Sequence, residues 1–185
     1  MIAEQGFLIV ATPNAKNEHR ETVVLVAVHG SEGSLGFVVN RPSACSLNEA
    51  LTNCGVPMPE AIDPQRTVWR GGPTRPDVGW LLFDAAEVDA PEDSCLLTPR
   101  VGVTAAPTAM ESVIVESPSA LLLLGHLTWE PEDLDDEIAA GAWLRTKVDP
   151  ALLFEAPATR RWSDATCTVL ELPRPWWGPA RFALA

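Results

Sequence analysis

Three apolar, strand-like runs crowd into the first forty residues, and they constrain the fold more than anything else in the chain. The run Phe7-Leu8-Ile9-Val10-Ala11 is closed by Thr12-Pro13. Residues 22–28 form a second run, rich in valine and closed by His29-Gly30, and Ser34-Leu35-Gly36-Phe37-Val38-Val39-Asn40 forms a third, closed by Arg41-Pro42. Short aliphatic and β-branched runs with no polar alternation read as strands buried on both faces. Only the turn residues 30–33 separate the second run from the third, so residues 22–40 predict a hairpin at the centre of a sheet. A strand buried on both faces needs layers above and below it, and the rest of the chain must supply them.

The remaining segments supply both strands and helices. Residues 67–71, 79–83 and 120–127 read as further strands, with shorter extended candidates at 96–98 and 101–104. Ser46-Leu47-Asn48-Glu49 has the Ser-x-x-Glu pattern of a capping box and predicts a helix through Asn53. Further helices are expected at 108–115, at 133–141 with Leu134 and Ile138 on one side, and at 159–170 with Trp162, Ala165 and Val169 inward. Asp149-Pro150 supplies an N-cap with proline at the first helical position. Early hairpins without a βαβ rhythm point to an α+β single domain over residues 1–172. Residues 173–185 are a Pro- and Trp-rich tail whose prolines cannot continue a helix. Its Trp176-Trp177 pair is a candidate protein-binding anchor.

Composition excludes several functions. Thirteen Lys and Arg stand against 25 Asp and Glu, a formal charge of -12. That balance repels nucleic-acid phosphate and anionic lipid, so direct DNA binding is not expected. The longest apolar stretch, residues 120–124, falls far short of the roughly 20 residues a membrane-spanning helix needs. Glu4, with no basic region ahead of the apolar opening, argues against a secretory signal and for a cytoplasmic protein. Cys45, Cys54, Cys95 and Cys167 are scattered without a Cys-x-x-Cys pair and read as reduced thiols.

Motifs of common chemistries are missing from the sequence. His19, His29 and His126 have no second ligand at zinc-site spacing, so neither metal nor cofactor is expected. The P-loop, dinucleotide and Gly-x-Ser-x-Gly patterns do not occur. Candidates remain at strand ends. His29 can serve as a general base or hydrogen-bond a turn. Asn40 and Arg41 can hold a carboxylate or phosphate, or close a strand. Gly71-Gly72 can offer backbone donors to an anion, or make a turn only glycine fits. If the chain has a ligand site, these five residues, His29, Asn40, Arg41, Gly71 and Gly72, are expected to build it. Trp69, Trp80, Trp129, Trp143 and Trp162 read as core or near-core.

The order of these landmarks resembles the AlgH/YqgE family of bacterial proteins. The segments carrying the resemblance are Gly6 to Pro13, Thr22 to His29, Gly36 to Pro42, Gly71-Gly72-Pro73 with Gly79-Trp80-Leu81-Leu82, Gly125 with Trp129, Trp143-Leu144 and Leu153-Phe154. Coverage runs from about residue 5 to 170. This chain departs from the pattern at Glu132-Asp133-Leu134-Asp135, at Leu127-Thr128 and at His19. The resemblance implies a large mixed or barrel-like sheet flanked by helices. Some family members carry the label of transcriptional regulator, and no biochemical mechanism comes with it. The expected function is therefore that of a regulatory or binding protein acting through a protein partner. The alternative is a hydrolase-like enzyme for a small ligand, with a site near His29, Asn40 and Arg41.

Overall fold

A computed structural model describes residues 6–172. The chain opens with β1 (Phe7–Ala11), followed after a short 3-10 turn by β2 (Val23–Gly30) and β3 (Gly33–Val38). Successive β1 side chains point to opposite faces, as extended backbone dictates, and all five residues are buried. Leu8 and Val10 join one core cluster while Phe7 and Ile9 join another on the opposite side. The reading of strands covered on both faces is thus realised.

Next come α1 (Leu47–Asn53), β4 (Val68–Arg70), β5 (Thr74–Asp84), β6 (Ser94–Leu96) and β7 (Val101–Thr104). They are followed by α2 (Pro107–Glu116), β8 (Leu121–Trp129), α3 (Asp133–Ala139), β9 (Trp143–Lys147), α4 (Pro150–Phe154) and α5 (Ala158–Val169). The strands form one sheet in the order β6-β7-β5-β8-β3-β2-β1-β9, with β4 pairing to β8 off this path. Every pairing is antiparallel except β4 with β8. The sheet curls into a half-barrel flanked by helices. The β2–β3 hairpin lies inside it, next to β8 at the midpoint.

Three clusters share this sheet. One packs Leu25, Phe37, Leu82 and Leu123 under Leu152, Leu153 and Ala165 of α4 and α5. The second packs Leu81, Phe83 and Leu122 under Leu51 of α1 and Met110 and Ile114 of α2. The third packs Val24, Val26 and Leu127 against Leu134 of α3 and Trp143.

Helix starts follow their sequence signals. The capping box forms as expected: Ser46 Oγ accepts from Glu49 N at 3.3 Å, and Glu49 Oε2 accepts from Ser46 N at 3.1 Å. Asp149 caps α4 by accepting from Ala151 N at 3.0 Å. At the other end of α2, Arg66 donates to the carbonyls of Ile114 and Ser117, each at 2.9 Å, and to that of Ala120. These donations satisfy acceptors that a helix C-terminus leaves open.

Three elements differ from the sequence expectation. The short strand expected at 96–98 lies at Ser94–Leu96 instead. β9 falls in Trp-Leu-Arg-Thr-Lys, which follows α3 and carries only one fully buried side chain. As an edge strand it faces solvent on one side and lacks the continuous apolar run that marks the others. β5 begins at Thr74 rather than near residue 79, because a bulge between Thr74 and Gly79 interrupts its pairing with β8. The polar residues there gave no strand signal. All four cysteines are free thiols. Residues 173–185, and with them the reading of Trp176-Trp177 as an anchor, lie outside the described residues.

Candidate functional site

A half-open cavity of about 580 Å³ lies where β2 begins and β3 and β4 end. One wall comes from the β1–β2 connection and the start of β2, through Glu18, His19 and Thr22. Arg41 and Arg70 contribute charge, and Val38, Leu127, Gly72, Pro73 and Pro76 provide the remaining, mostly apolar, lining. A cavity of this size, apolar with few polar groups, matches the general form of a ligand seat.

The backbone fixes the arginines first. Pro42 bridges Trp69 in antiparallel fashion, and Arg70 N donates to Arg41 O at 2.8 Å. The two arginines therefore sit opposite each other on neighbouring chain segments. Arg41 is steadied through one nitrogen, Nη2, which donates to Arg20 O and to Thr22 Oγ1. Thr22 Oγ1 in turn donates to Arg20 O at 3.3 Å. Among the described residues the Arg70 guanidinium, on an exposed side chain, has no hydrogen bond or ion pair.

Of the five expected site residues, the structure brings Arg41 and Gly72 to this cavity and sets the others to different tasks. Asn40 organises the entry to β2: its Oδ1 accepts from Val23 N at 3.0 Å and its Nδ2 donates to Glu21 O at 2.7 Å. It thereby holds Glu21 in a left-handed conformation, φ 52°, that a side chain disfavours. Gly71 is buried, donating to Leu124 O at 2.8 Å and accepting from Val38 N at 2.7 Å. A Cβ on Gly71 would lie 2.3 Å from Gly125 O, and one on Gly72 would lie 2.2 Å from the His126 backbone. Both glycines are thus required by the close crossing of β8.

His29 stands at the opposite end of β2, roughly 20 Å along an extended strand from Thr22. Its Nδ1 lies 2.8 Å from Ser34 Oγ, its Nε2 lies 3.4 Å from Asp135 Oδ1, and its ring meets Phe7 edge-on. These partners close the hairpin and tie it to α3. The grouping of His29 with Arg41 is not realised, because the hairpin sends the two ends of β2 apart. His126 is buried against Trp80, and burial followed by the nearby Arg75 lowers its basicity.

Sequence reasoning passed over His19 and Arg70. His19 packs on Trp143 with ring centroids 5.3 Å apart, and burial holds its pKa below the usual histidine value despite Glu18 at 3.8 Å. The signal for Arg70 lay in its position beside Gly71-Gly72, but its pairing with Arg41 depends on the Pro42–Trp69 bridge, which no local pattern announces. Among the described residues no group of three or more His, Cys, Asp or Glu is placed to hold a metal ion. No helix among them is long and apolar enough to cross a membrane.

Comparison with known proteins places this architecture. A UPF0301 protein of Methylococcus capsulatus is 33% identical over 172 residues, covering 89% of this chain and 90% of the relative. A UPF0301 protein of Xylella fastidiosa is 32% identical over 161 residues, covering 85% of each. The solution structure of AlgH from Pseudomonas aeruginosa superposes with a TM-score of 0.75 at 25% identity, over 93% of this chain and 91% of that one. A crystal structure from Corynebacterium diphtheriae shares the fold, with a TM-score of 0.73 at 21% identity over 93% and 88% of the two chains. With the AlgH-like family model matching residues 7–170, the chain belongs to the AlgH-like family.

Proposed function

We propose that this AlgH-like protein is a cytoplasmic regulatory or binding protein that works through protein contacts, with the Arg41–Arg70 cavity seating a projecting segment of the partner. The observation supporting this reading is the cavity itself, about 580 Å³ of mostly apolar space with two guanidinium groups at its wall. Its lining is suited to holding rather than attacking. The Thr22 hydroxyl is engaged with Arg20 O and Arg41, and His19 packs its ring on Trp143. A general base needs a nucleophile within hydrogen-bond reach, and these groups are directed elsewhere. The four free thiols suit a reducing compartment.

The test is selection of displayed random peptides on the full chain, followed by binding to a Pro76→Trp variant. Pro76 is an exposed residue on the cavity wall, so a bulkier side chain narrows the cavity while leaving the core intact. Selected peptides are expected to shift the amides of residues 18–22, 38–41, 70–72, 74, 75 and 77 and to bind the variant about tenfold more weakly, a loss of roughly 1.4 kcal/mol. Peptides that bind both proteins equally would overturn the reading.

A further inference from the structure

We propose that the Arg41–Arg70 pair is a binding site for a phosphoryl group carried on an apolar body. This deepens the binding reading above and rests on it.

The first argument is electrostatic. Arg41 and Arg70 are opposed across the Pro42–Trp69 bridge, and both line the same cavity. Directly opposed residues place their Cβ atoms about 5 Å apart, where like charges destabilise the pairing. The chain has acids to spare, 25 Asp and Glu against 13 Lys and Arg, yet no carboxylate among the described residues forms an ion pair with either arginine. Glu18, which also lines the cavity, forms no ion pair with either arginine. Two opposed cations with which no carboxylate pairs directly, in a chain of net charge -12, form an arrangement that a bound anion completes.

The second argument concerns valence and geometry. Both hydrogen bonds of the Arg41 guanidinium come from Nη2, which leaves Nη1 and Nε to donate, and Arg70 retains its full fork. A carboxylate offers a single charge and two oxygens to this pair. A phosphate monoester carries about -1.5 to -2 charges at neutral pH and three acceptor oxygens, enough for two planar forks at once. Val38, Leu127, Pro73 and Pro76 then face whatever the phosphoryl group is attached to. Free phosphate would leave that apolar wall unused.

The experiment is a titration of the isotope-labelled full chain, followed through its amide resonances, with phenyl phosphate, inorganic phosphate and benzoate. Phenyl phosphate is expected to shift Arg41, Arg70 and Gly72 saturably and to bind about tenfold more tightly than benzoate, since its third oxygen and larger charge add charge-assisted hydrogen bonds that a carboxylate lacks. Inorganic phosphate is expected to bind more weakly than the ester. Arg70→Gln should remove about tenfold of the phenyl phosphate affinity with the spectrum otherwise unchanged, and Arg70→Lys should recover part of it, because a lysine keeps the charge without the fork. Phenyl phosphate binding no tighter than benzoate, or binding indifferent to Arg70→Gln, overturns the proposal. Equal binding of inorganic phosphate and the ester overturns the apolar-body half of it. If selected peptides still depend on the Pro76 wall while phenyl phosphate does not bind, the phosphoryl assignment fails and the binding reading stands. If neither ligand senses the cavity, both fail.

Discussion

Glu137 accepts from three donors that come from different parts of the chain. Trp143 Nε1 lies at 2.8 Å, Trp129 Nε1 at 3.1 Å and Lys16 Nζ at 2.9 Å, so one carboxylate on α3 ties together β8, β9 and the β1–β2 connection. Burial by itself would raise this carboxyl, but the hydrogen bonds from Trp143, Lys16 and Trp129 outweigh it and hold the pKa below the usual glutamate value. A carboxyl depressed in the folded state contributes stability above its unfolded pKa, about 4.3, and loses it as pH falls through the folded value. Glu137→Ala strands one buried and one half-buried indole donor and is expected to cost about 2–3 kcal/mol at pH 7. Urea midpoints at pH 7 and pH 3 measure this: the gap between wild type and variant should narrow at the lower pH, and an equal gap at both would show that the charge is irrelevant. Arg161 offers the complementary case. In the sequence it looks like half of a basic Arg160-Arg161 pair, yet it is only 3% exposed. It donates to Ala156 O at 3.0 Å and to Val39 O, and lies 4.3 Å over the Trp69 ring. Burial lowers its pKa to about 10, so it stays charged at neutral pH while belonging to the interior.

At the scale of elements, the crossing of the Gly71-Gly72 turn over β8 shapes the cavity. Gly125 has φ +70°, and a Cβ there would lie 2.4 Å from Gly72 O and 3.0 Å from Thr74 O. Gly55 has nearly the same backbone, φ +72°, with open space where its Cβ would be. The two positions separate conformational strain from backbone collision. Gly55→Ala should cost about 1–2 kcal/mol, the penalty of a left-handed residue. Gly125→Ala carries that penalty and must also push apart two backbone segments, so a loss above about 3 kcal/mol is expected. Thermal unfolding of the two variants decides the point, and equal losses would remove the crossing as the reason for the glycines. The same contrast explains what the sequence made legible. The β1, β2, β3 and β8 runs, the α1 capping box and the Asp149-Pro150 start of α4 are all written in local residue order. The half-exposed β9 and the bulged start of β5 are not, because their pairing depends on distant partners. The cavity follows the same rule. Arg41 and Gly72 were visible as strand-end residues, and the hairpin expected over 22–40 already sets His29 at its turn and Arg41 at its far end, whereas the opposition of Arg41 to Arg70 exists only after Pro42 meets Trp69.

For the whole molecule, the surplus of acids sets a limit on how the arginine pair can be used. A pair of cations able to grip a phosphoryl group raises the prospect of nucleic-acid binding. Binding to duplex DNA requires many phosphate contacts at once, however, and each neutralised phosphate contributes a slope of about -0.9 to the dependence of log affinity on log salt. Arg41 and Arg70 together would supply a slope of about -1.8, far below that of proteins making six to ten such contacts. The remaining surface works against them: the net charge is -12, and Arg161, one of only 13 basic residues, is withdrawn into the core. Duplex DNA is therefore expected to bind no tighter than micromolar even at low salt, while a compact phosphate ester, which adds no further negative charge beyond the cavity, is expected to bind. Fluorescence anisotropy of a labelled duplex across a salt series provides the check. Submicromolar binding with a slope steeper than about -4 would mean that at least four phosphates are neutralised, which two cavity arginines cannot account for, and the charge argument for this molecule would then be wrong.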